Sequence, residues 1–287
     1  MSDSPNRRLR ALIARKKAVL LPGAANALAA RVIEDLGFEA IYVTGAGVTN
    51  TFLGMPDIGL LTVTELADHV AAMRDAVSLP LIVDADTGFG NAVNVGRTVR
   101  TLERAGASAI QLEDQDFPKR CGHFSGKSVI PTAEMVQKIR AAADARVDRD
   151  FVIVARTDAI AVNGFEDAMA RANAFIEAGA DMTFVEAPRT PEQIAAIPKL
   201  AVPQLLNIVA GGLTPMLPRA DLETMGYALV LYANAALQAA VAGMQTVLGH
   251  LKAEGSLDGV SDKLAGFAER QRLVNKLHFD ALEKKYS

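Results

Sequence analysis

Short runs of apolar residues alternate along the chain with stretches of helical periodicity. The apolar runs lie at residues 18–22, 40–44, 81–84, 109–113, 151–155, 183–186, 204–207 and 228–232. They are nearly continuous rather than alternating, as expected for parallel strands that are buried on both faces. The runs therefore predict eight strands, and the helical patterns between them include residues 64–76, 93–105, 133–143 and 165–178.

A glycine stands shortly before four of the predicted strands. Gly37, Gly106, Gly179 and Gly226 each follow a helical stretch, and glycine at that place takes the left-handed conformation without a Cβ penalty. The repeated helix–glycine–strand unit predicts an α/β fold, a closed (β/α)8 TIM barrel that forms one domain over residues 1–287. A doubly wound open sheet is the alternative, but no Gly-x-Gly-x-x-Gly follows the first strand, where a dinucleotide-binding sheet carries it.

Two further helical stretches follow the last predicted strand. Residues 233–254 would close the barrel, and residues 262–285 have the pattern of one amphipathic helix. A helix beyond the needs of the barrel packs either on its own barrel or on a neighbouring subunit. The pattern alone leaves both arrangements open.

Composition and charge exclude several classes of protein. The net charge is −3 and no basic run occurs, so we expect no nucleic-acid partner. No apolar run approaches the ~20 residues of a membrane span. The Arg-rich residues 1–17 fit an amphipathic helix better than a targeting segment. The single cysteine excludes an internal disulfide and favours a cytoplasmic protein.

Acidic residues collect where predicted strands end, and in a TIM barrel that edge carries the active site. Asp84 and Asp86 flank the end of the third strand, and Glu113 ends the fourth. In an extended segment residues i and i+2 point the same way, so these carboxylates are expected to form an all-oxygen site for Mg²⁺, with Mn²⁺ as second choice. Helix caps or turn residues are the alternative reading of the two aspartates.

Two other strand ends suit the binding of a carboxylate. Thr44, Gly45 and Ala46 begin a loop of small residues whose backbone N–H groups could hold an anion, although a tight turn would look the same. Arg156 ends the fifth strand and offers a planar fork to a carboxylate. An ion pair of Arg156 with Glu186 or Asp158 is the alternative.

The only cysteine lies in a long segment without periodicity, residues 115–131. Lys119, Arg120 and His123 flank Cys121 and would lower its thiol pKa, which favours a role as proton donor and acceptor. A lone cysteine is usually an inert core residue, but these polar neighbours argue against burial. His123 fits either a catalytic or a structural role.

Three short motifs of the chain together resemble those of a known family. They are Lys-Arg-Cys-Gly-His at 119–123, Asp-Ala-Asp-Thr-Gly at 84–88 and Ala-Arg-Thr-Asp at 155–158. They are similar to the isocitrate lyase/phosphoenolpyruvate mutase superfamily, in particular to its lyase branch with the 2,3-dimethylmalate and methylisocitrate lyases. The resemblance implies a barrel whose C-terminal helix is exchanged between subunits, a homotetramer and bound Mg²⁺.

The resemblance also implies roles for individual residues. Asp84 and Asp86 would bind Mg²⁺ directly or through water, with Asp57 and Glu113 in the surrounding shell. The substrate is implied to contact the residues Thr44, Gly45, Ala46, Gly122, Arg156, Glu186 and Asn207. Cys121 and His123 would lie over the half of the substrate that leaves.

The implied reaction is cleavage of a 2-hydroxy di- or tricarboxylate to pyruvate and a second carboxylate. Cys121 would be the general acid, and the base is either Tyr42 or a water on the metal. Hydrolysis or decarboxylation of oxaloacetate, or phosphonopyruvate chemistry, are the rival activities. Ala210 stands where the family has Glu, and Gln238 where methylisocitrate lyases have Arg. The loss of these charges predicts a preference for alkyl-substituted malates or oxaloacetate.

Overall fold

The computed structural model describes residues 4–119 and 126–287. Eight parallel strands pair in chain order and close into a barrel through the first and the last. They are β1 (Val19–Ala24), β2 (Ile41–Val43), β3 (Leu81–Asp84), β4 (Ala109–Glu113), β5 (Val152–Thr157), β6 (Met182–Val185), β7 (Gln204–Asn207) and β8 (Leu229–Tyr232). The prediction of a (β/α)8 barrel is confirmed, and the open sheet is excluded because no strand of this sheet is left at an edge.

Helices occupy the connections between the strands. The first six are α1 (Pro5–Ala14), α2 (Ala27–Asp35), α3 (Gly45–Val48), α4 (Val63–Ala76), α5 (Ala92–Arg104) and α6 (Thr132–Ala145). The others are α7 (Phe165–Glu177), α8 (Pro191–Ala196), α9 (Arg219–Met225), α10 (Ala235–Glu254), α11 (Phe267–Leu273) and α12 (Lys276–Tyr286). The glycines that were expected to end α2, α5, α7 and α9 have φ angles of 81°, 100°, 107° and 96°, in the left-handed region.

Apolar side chains fill the barrel and close one of its ends. The interior cluster includes Tyr42, Ile82 and Phe184, and Leu9, Leu12 and Ile13 of α1 are buried in the same cluster. Helix α1 precedes β1, so its apolar side chains add to the core of the barrel at the N-terminal side of the strands. The opposite, C-terminal side of the barrel carries the polar residues described below.

The C-terminal segment differs from its prediction. Residues 262–285 were expected to form one helix, whereas a short turn is followed by α11 and α12. The helical conformation is interrupted at Asn275, whose φ of 56° lies in the left-handed region. In α10 the only buried residue is Val247, although the helix is rich in apolar side chains. Among the described residues, no helix combines the length and apolar character needed to cross a membrane.

Candidate active site

A cavity opens among the C-terminal ends of the strands and encloses about 460 Å³, including space open to solvent. Its lining consists of Tyr42, Thr44, Ala46, Asp57, Asp84, Glu113, Lys119, Arg156, Phe184, Glu186, Asn207, Val209, Leu231, Ala233 and Asn234. The part that follows β2 to β6 contains all the charged side chains of this lining. The part contributed by β7, β8 and the residues after them is uncharged, so the cavity is electrostatically asymmetric.

Asp84 and Asp86 converge, but by another geometry than the one predicted. Strand β3 ends at Asp84, and Asp86 has a left-handed φ of 48°, so the two residues do not share an extended segment. Their carboxylates nevertheless meet at Gly45, where a Cβ atom would lie 3.3 Å from both Asp84 Oδ2 and Asp86 Oδ1. The absence of a side chain at Gly45 leaves space for these carboxylates. Aspartate tolerates the left-handed region better than most residues, which fits its use at this turn.

Lys119 lies within the acidic cluster rather than only beside Cys121, as the sequence suggested. Its Nζ atom is 2.8 Å from Asp86 Oδ1 and also pairs with Asp57. Burial raises the pKa of Asp86 to about 6, although Lys119 acts to lower it. Burial alone would lower the pKa of Lys119, but Asp86 and the neighbouring carboxylates outweigh this effect and raise it well above its usual value.

The acidic cluster has the donor atoms of a site for a hard cation. Glu113 Oε1 is buried and has no hydrogen-bond partner among the described residues, and burial raises the pKa of Glu113 well above its usual value. Within the described ranges, no three His, Cys, Asp or Glu side chains already form a compact metal-binding group. The ammonium of Lys119 pairs with two of the four predicted carboxylates, Asp57 and Asp86. The carboxylate oxygens fit Mg²⁺ in type and charge.

A chain of hydrogen bonds connects Tyr42 to Asp84. The Tyr42 hydroxyl donates to Gln111 Oε1 at 2.7 Å, and Gln111 Nε2 donates to Asp84 Oδ1 at 3.2 Å. Burial, reinforced by Asp84, raises the pKa of Tyr42 well above its usual value. In this arrangement the Tyr42 hydroxyl is a hydrogen-bond donor, and its role as the base stays a prediction. Gln111 was missed, and its signal was a single polar residue inside an apolar strand.

Arg156, at the end of β5, is held by carboxylates on two sides. Its Nε and Nη2 atoms donate to Asp158 at 2.9 and 3.0 Å, and Nη1 lies 3.3 Å from Glu113 Oε2. The guanidinium carbon also lies 5.1 Å from the centre of the Phe184 ring. The ion pair with Asp158 was one of the expected alternatives. It does not exclude substrate binding, because Arg156 also lines the cavity.

Polar groups without partners face the uncharged part of the cavity. Asn207 Nδ2 donates to Glu186 Oε1 at 3.4 Å, whereas the buried Oδ1 atoms of Asn207 and Asn234 have no hydrogen-bond partner among the described residues. Such atoms are costly to bury unless a ligand or water pairs with them. Asn234 was not anticipated from the sequence, although its place directly after β8 matches that of the other site residues.

The remaining candidates divide into three groups. Thr44 caps α3 by accepting a hydrogen bond from Gly47 N at 3.2 Å, and both Thr44 and Ala46 line the cavity. Ala210 and Gln238 are exposed and do not line it; the uncharged wall is formed by Asn207, Val209, Leu231, Ala233 and Asn234. Cys121, Gly122 and His123 lie outside the described residues, and their roles stay predictions.

Comparison with known proteins identifies relatives over nearly the whole chain. The chain is 44% identical over 282 residues to 2,3-dimethylmalate lyase of Eubacterium barkeri, covering 98% of this chain and 97% of that protein. It is also 44% identical over 263 residues to 2-methylisocitrate lyase of Aeropyrum pernix, covering 91% and 84%. These two similarities support the prediction that the chain is a carbon–carbon lyase.

Solved structures support the same fold and superfamily. Oxaloacetate acetylhydrolase in complex with 3,3-difluorooxalacetate superposes with a TM-score of 0.93 at 34% identity, covering 99% of this chain and 97% of that one. A phosphonopyruvate hydrolase in complex with oxalate and Mg²⁺ superposes with a TM-score of 0.89 at 34% identity, covering 99% of both. The family profile described as phosphoenolpyruvate phosphomutase matches residues 9–252. The resemblance predicted from three short motifs is therefore confirmed, and the chain belongs to the phosphoenolpyruvate mutase/isocitrate lyase superfamily.

Proposed function

We propose that the chain is a Mg²⁺-dependent lyase that cleaves a 2-hydroxy di- or tricarboxylate, of the 2-alkylmalate or methylisocitrate type, to pyruvate and a second carboxylate. The observation that carries this proposal is the asymmetric cavity. It combines an acidic cluster, an arginine and an uncharged wall at the C-terminal side of the barrel. The lyases to which the chain is similar support the same reaction class.

The acidic cluster is the proposed metal site. Asp84 and Asp86 would hold Mg²⁺ directly or through water, with Asp57 and Glu113 around them, and Mn²⁺ is an alternative. When bound, the cation would supply a Lewis acid that polarises the substrate oxygens. Lys119 already pairs with Asp57 and Asp86, so a cation held by these carboxylates would compete with its ammonium.

The chain's own residues would bind and orient the substrate. Thr44, Gly45 and Ala46 would hold the carboxylate of the half that becomes pyruvate. Arg156 would pair with a second carboxylate, and Glu186, Asn207 and Gly122 would contact the rest of the substrate. These groups would fix the position of the bond to be broken, and such positioning lowers the barrier to the reaction.

Proton transfers complete the proposed reaction. The substrate hydroxyl loses its proton to a base, its oxygen becomes the carbonyl of pyruvate, and the adjacent C–C bond breaks. The electron pair of that bond remains on the departing carboxylate fragment as a carbanion. Cys121 would protonate this carbon, with His123 next to it. The base is left open, since Tyr42 is held as a hydrogen-bond donor.

The cavity favours small dicarboxylates over tricarboxylates. Lys119 and Arg156 are the only cations among the described lining residues, and both are already paired with carboxylates. Val209, Leu231 and Ala233 instead offer an apolar surface to an alkyl substituent. We expect 2-alkylmalates to exceed methylisocitrate in kcat/KM by at least roughly tenfold, which corresponds to ~1.4 kcal/mol.

The hydrolysis of oxaloacetate is a second candidate. The superposition on oxaloacetate acetylhydrolase favours it, and an uncharged wall accommodates oxaloacetate as readily as an alkylmalate. The two activities use the same type of cavity but form different products. The lyase yields pyruvate and a second carboxylate, whereas hydrolysis of oxaloacetate yields oxalate and acetate.

The decisive experiment is a substrate panel with identified products. 2,3-Dimethylmalate, 2-methylmalate, methylisocitrate, oxaloacetate and phosphonopyruvate are each incubated with the enzyme and Mg²⁺, and the products are followed by NMR, with matched samples containing EDTA. The proposal expects pyruvate from the alkylmalates and loss of activity with EDTA. Oxalate and acetate from oxaloacetate, without cleavage of any malate derivative, would establish the second candidate. Pyruvate and CO₂ from oxaloacetate would indicate a decarboxylase, and turnover of phosphonopyruvate alone would contradict both candidates.

A homotetramer with an exchanged C-terminal helix is part of the proposal. In α10, Met244 and Leu248 are 54% and 58% exposed, and in α12 Leu277 is 82% exposed. Apolar side chains this exposed are typical of a subunit interface. Light scattering after size-exclusion chromatography should give four times the mass of the chain, and Leu277→Asp should reduce it. A monomer of unchanged activity would contradict this part of the proposal. A cytoplasmic location stays a prediction from the single cysteine.

A further inference from the structure

Asp158 lies between two cations behind the cavity. Its Oδ1 atom accepts hydrogen bonds from Arg156 Nη2 at 3.0 Å and from Lys127 Nζ at 2.8 Å, and its Oδ2 atom accepts from Arg156 Nε at 2.9 Å. The side chains of Lys127 and Asp158 are 1% and 0% exposed. Burial alone would raise the pKa of Asp158, but Arg156 and Lys127 lower it to about 2, so the carboxylate is ionised at neutral pH.

A separate network holds Asp158 in position. The Asp158 N–H donates to Asp114 Oδ1 at 2.9 Å, and the neighbouring Thr157 hydroxyl donates to Asp114 Oδ2 at 2.7 Å. Arg171 of α7 pairs with the same Asp114 carboxylate at 3.2 Å. The backbone at Asp158 is therefore fixed without Lys127. At Asp158, Lys127 adds a hydrogen bond and a positive charge.

That charge matters because several carboxylates surround Arg156. Asp158 accepts two of its hydrogen bonds, and Glu113 Oε2 lies 3.3 Å from its Nη1 atom. Glu186, which lines the same cavity, also acts on Arg156, so carboxylates surround the guanidinium and oppose the approach of a carboxylate substrate. Lys127 adds one positive charge next to Asp158 and so makes the surroundings of Arg156 less negative. Charges in a buried site are weakly screened, so the positive charge of Lys127 changes the electrostatic potential in the cavity.

We propose that Lys127 is a positioning residue for substrate binding: by sharing the charge of Asp158, it leaves Arg156 able to attract the substrate's carboxylate. This inference rests on the proposed function, in which Arg156 binds that carboxylate. Lys127 itself does not line the cavity, so its effect is transmitted through Asp158. It should therefore alter binding more than the chemical step.

The test compares Lys127→Met, Lys127→Arg and Lys17→Met. Lys17 forms an exposed ion pair with Glu223 at 2.8 Å, so Lys17→Met is the same substitution without the buried carboxylate. The readouts are KM and kcat for 2,3-dimethylmalate and the Kd of oxalate by calorimetry, all at saturating Mg²⁺. Lys127→Met should raise KM and Kd at least about tenfold while kcat stays within about threefold. Lys127→Arg and Lys17→Met should remain near wild type.

A double-mutant cycle tests the route through Asp158. In an Asp158→Asn background, Lys127→Met should change the Kd of oxalate by less than about threefold, because the charge that Lys127 shares is gone. An equal effect in both backgrounds, or an unchanged Kd in Lys127→Met, overturns the inference. So does a loss of kcat and melting temperature without a change in KM. If Lys127→Met does not fold, Lys127→Gln is judged by the same criteria.

Arg156→Gln separates failure of this inference from failure of the proposed function. If Arg156→Gln weakens oxalate binding and raises KM but Lys127→Met does not, the inference alone is wrong. If Arg156→Gln changes neither quantity, or oxalate does not bind the wild-type enzyme, the proposed carboxylate site is wrong and the inference falls with it.

Discussion

The ammonium nitrogen of Lys119 lies 2.8 Å from Asp86 Oδ1, inside the acidic cluster at the end of β3. Buried carboxylates need a compensating positive charge, and Lys119 supplies one such charge to Asp86 and to Asp57. A divalent cation at the same oxygens would replace or share this interaction. Metal binding and the position of Lys119 are therefore expected to depend on each other.

Tyr42→Phe distinguishes a hydrogen-bond donor from a general base. Tyr42 orients Asp84 through Gln111, and loss of such outer contacts typically weakens metal binding or activity by ~10–100-fold. We expect Tyr42→Phe to lower the Mg²⁺ affinity, with turnover largely recovered at high Mg²⁺. The measurement is kcat as a function of Mg²⁺ concentration. A loss of kcat that persists at saturating Mg²⁺ would show that the hydroxyl takes part in proton transfer.

Cys121→Ser tests the proposed general acid. A hydroxyl is a far weaker acid than a thiol, so kcat should fall by the ~10²–10⁴ expected when a general acid is lost. The Kd of oxalate should change little, because the carboxylate-binding groups are intact. If the variant turned over within a few-fold of wild type, the thiol would have no catalytic role.

Gly23→Ala tests the close approach of β1 to the segment after β8. An added Cβ would lie 1.9 Å from the backbone oxygen of Ala233, which cannot move as a side chain can. We expect the substitution to lower the free energy of unfolding by more than ~2 kcal/mol, as overpacking does. At Gly96 of α5 the nearest atom would be 3.6 Å away, so Gly96→Ala should be neutral or stabilising by up to about 1 kcal/mol. Similar free energies of unfolding for both variants in urea denaturation would contradict the close approach of Gly23 to Ala233.

The barrel could be predicted because its strands are signalled locally. Near-continuous apolar runs and the glycines that end the helices are short-range features, and both recur with the expected backbone angles. The break at Asn275 was missed because asparagine is also tolerated within helices, and the apolar pattern continues through it. Tertiary context decides such a position.

The candidate site was predictable only in part. Residues at strand ends, such as Asp84 and Arg156, were found because the barrel brings those ends together. The pairing of Lys119 with Asp57 and Asp86 was not foreseen, because it joins segments about sixty and thirty residues apart along the chain. Gln111 and Asn234 were overlooked because neutral amides carry no charge pattern. The roles of Gln111 and Asn234 depend on the atoms that their side chains contact in the folded structure.

Asp86→Ala tests the central claim, a metal-dependent cleavage at this cluster, most directly. Mg²⁺ binding by calorimetry and pyruvate release from 2,3-dimethylmalate are measured on the same preparation, with the exposed Asp75→Ala of α4 as control. The account predicts that Asp86→Ala folds, binds no Mg²⁺ and releases no pyruvate, whereas Asp75→Ala behaves as wild type. An Asp86→Ala enzyme that still binds Mg²⁺ and releases pyruvate at the wild-type rate would contradict it.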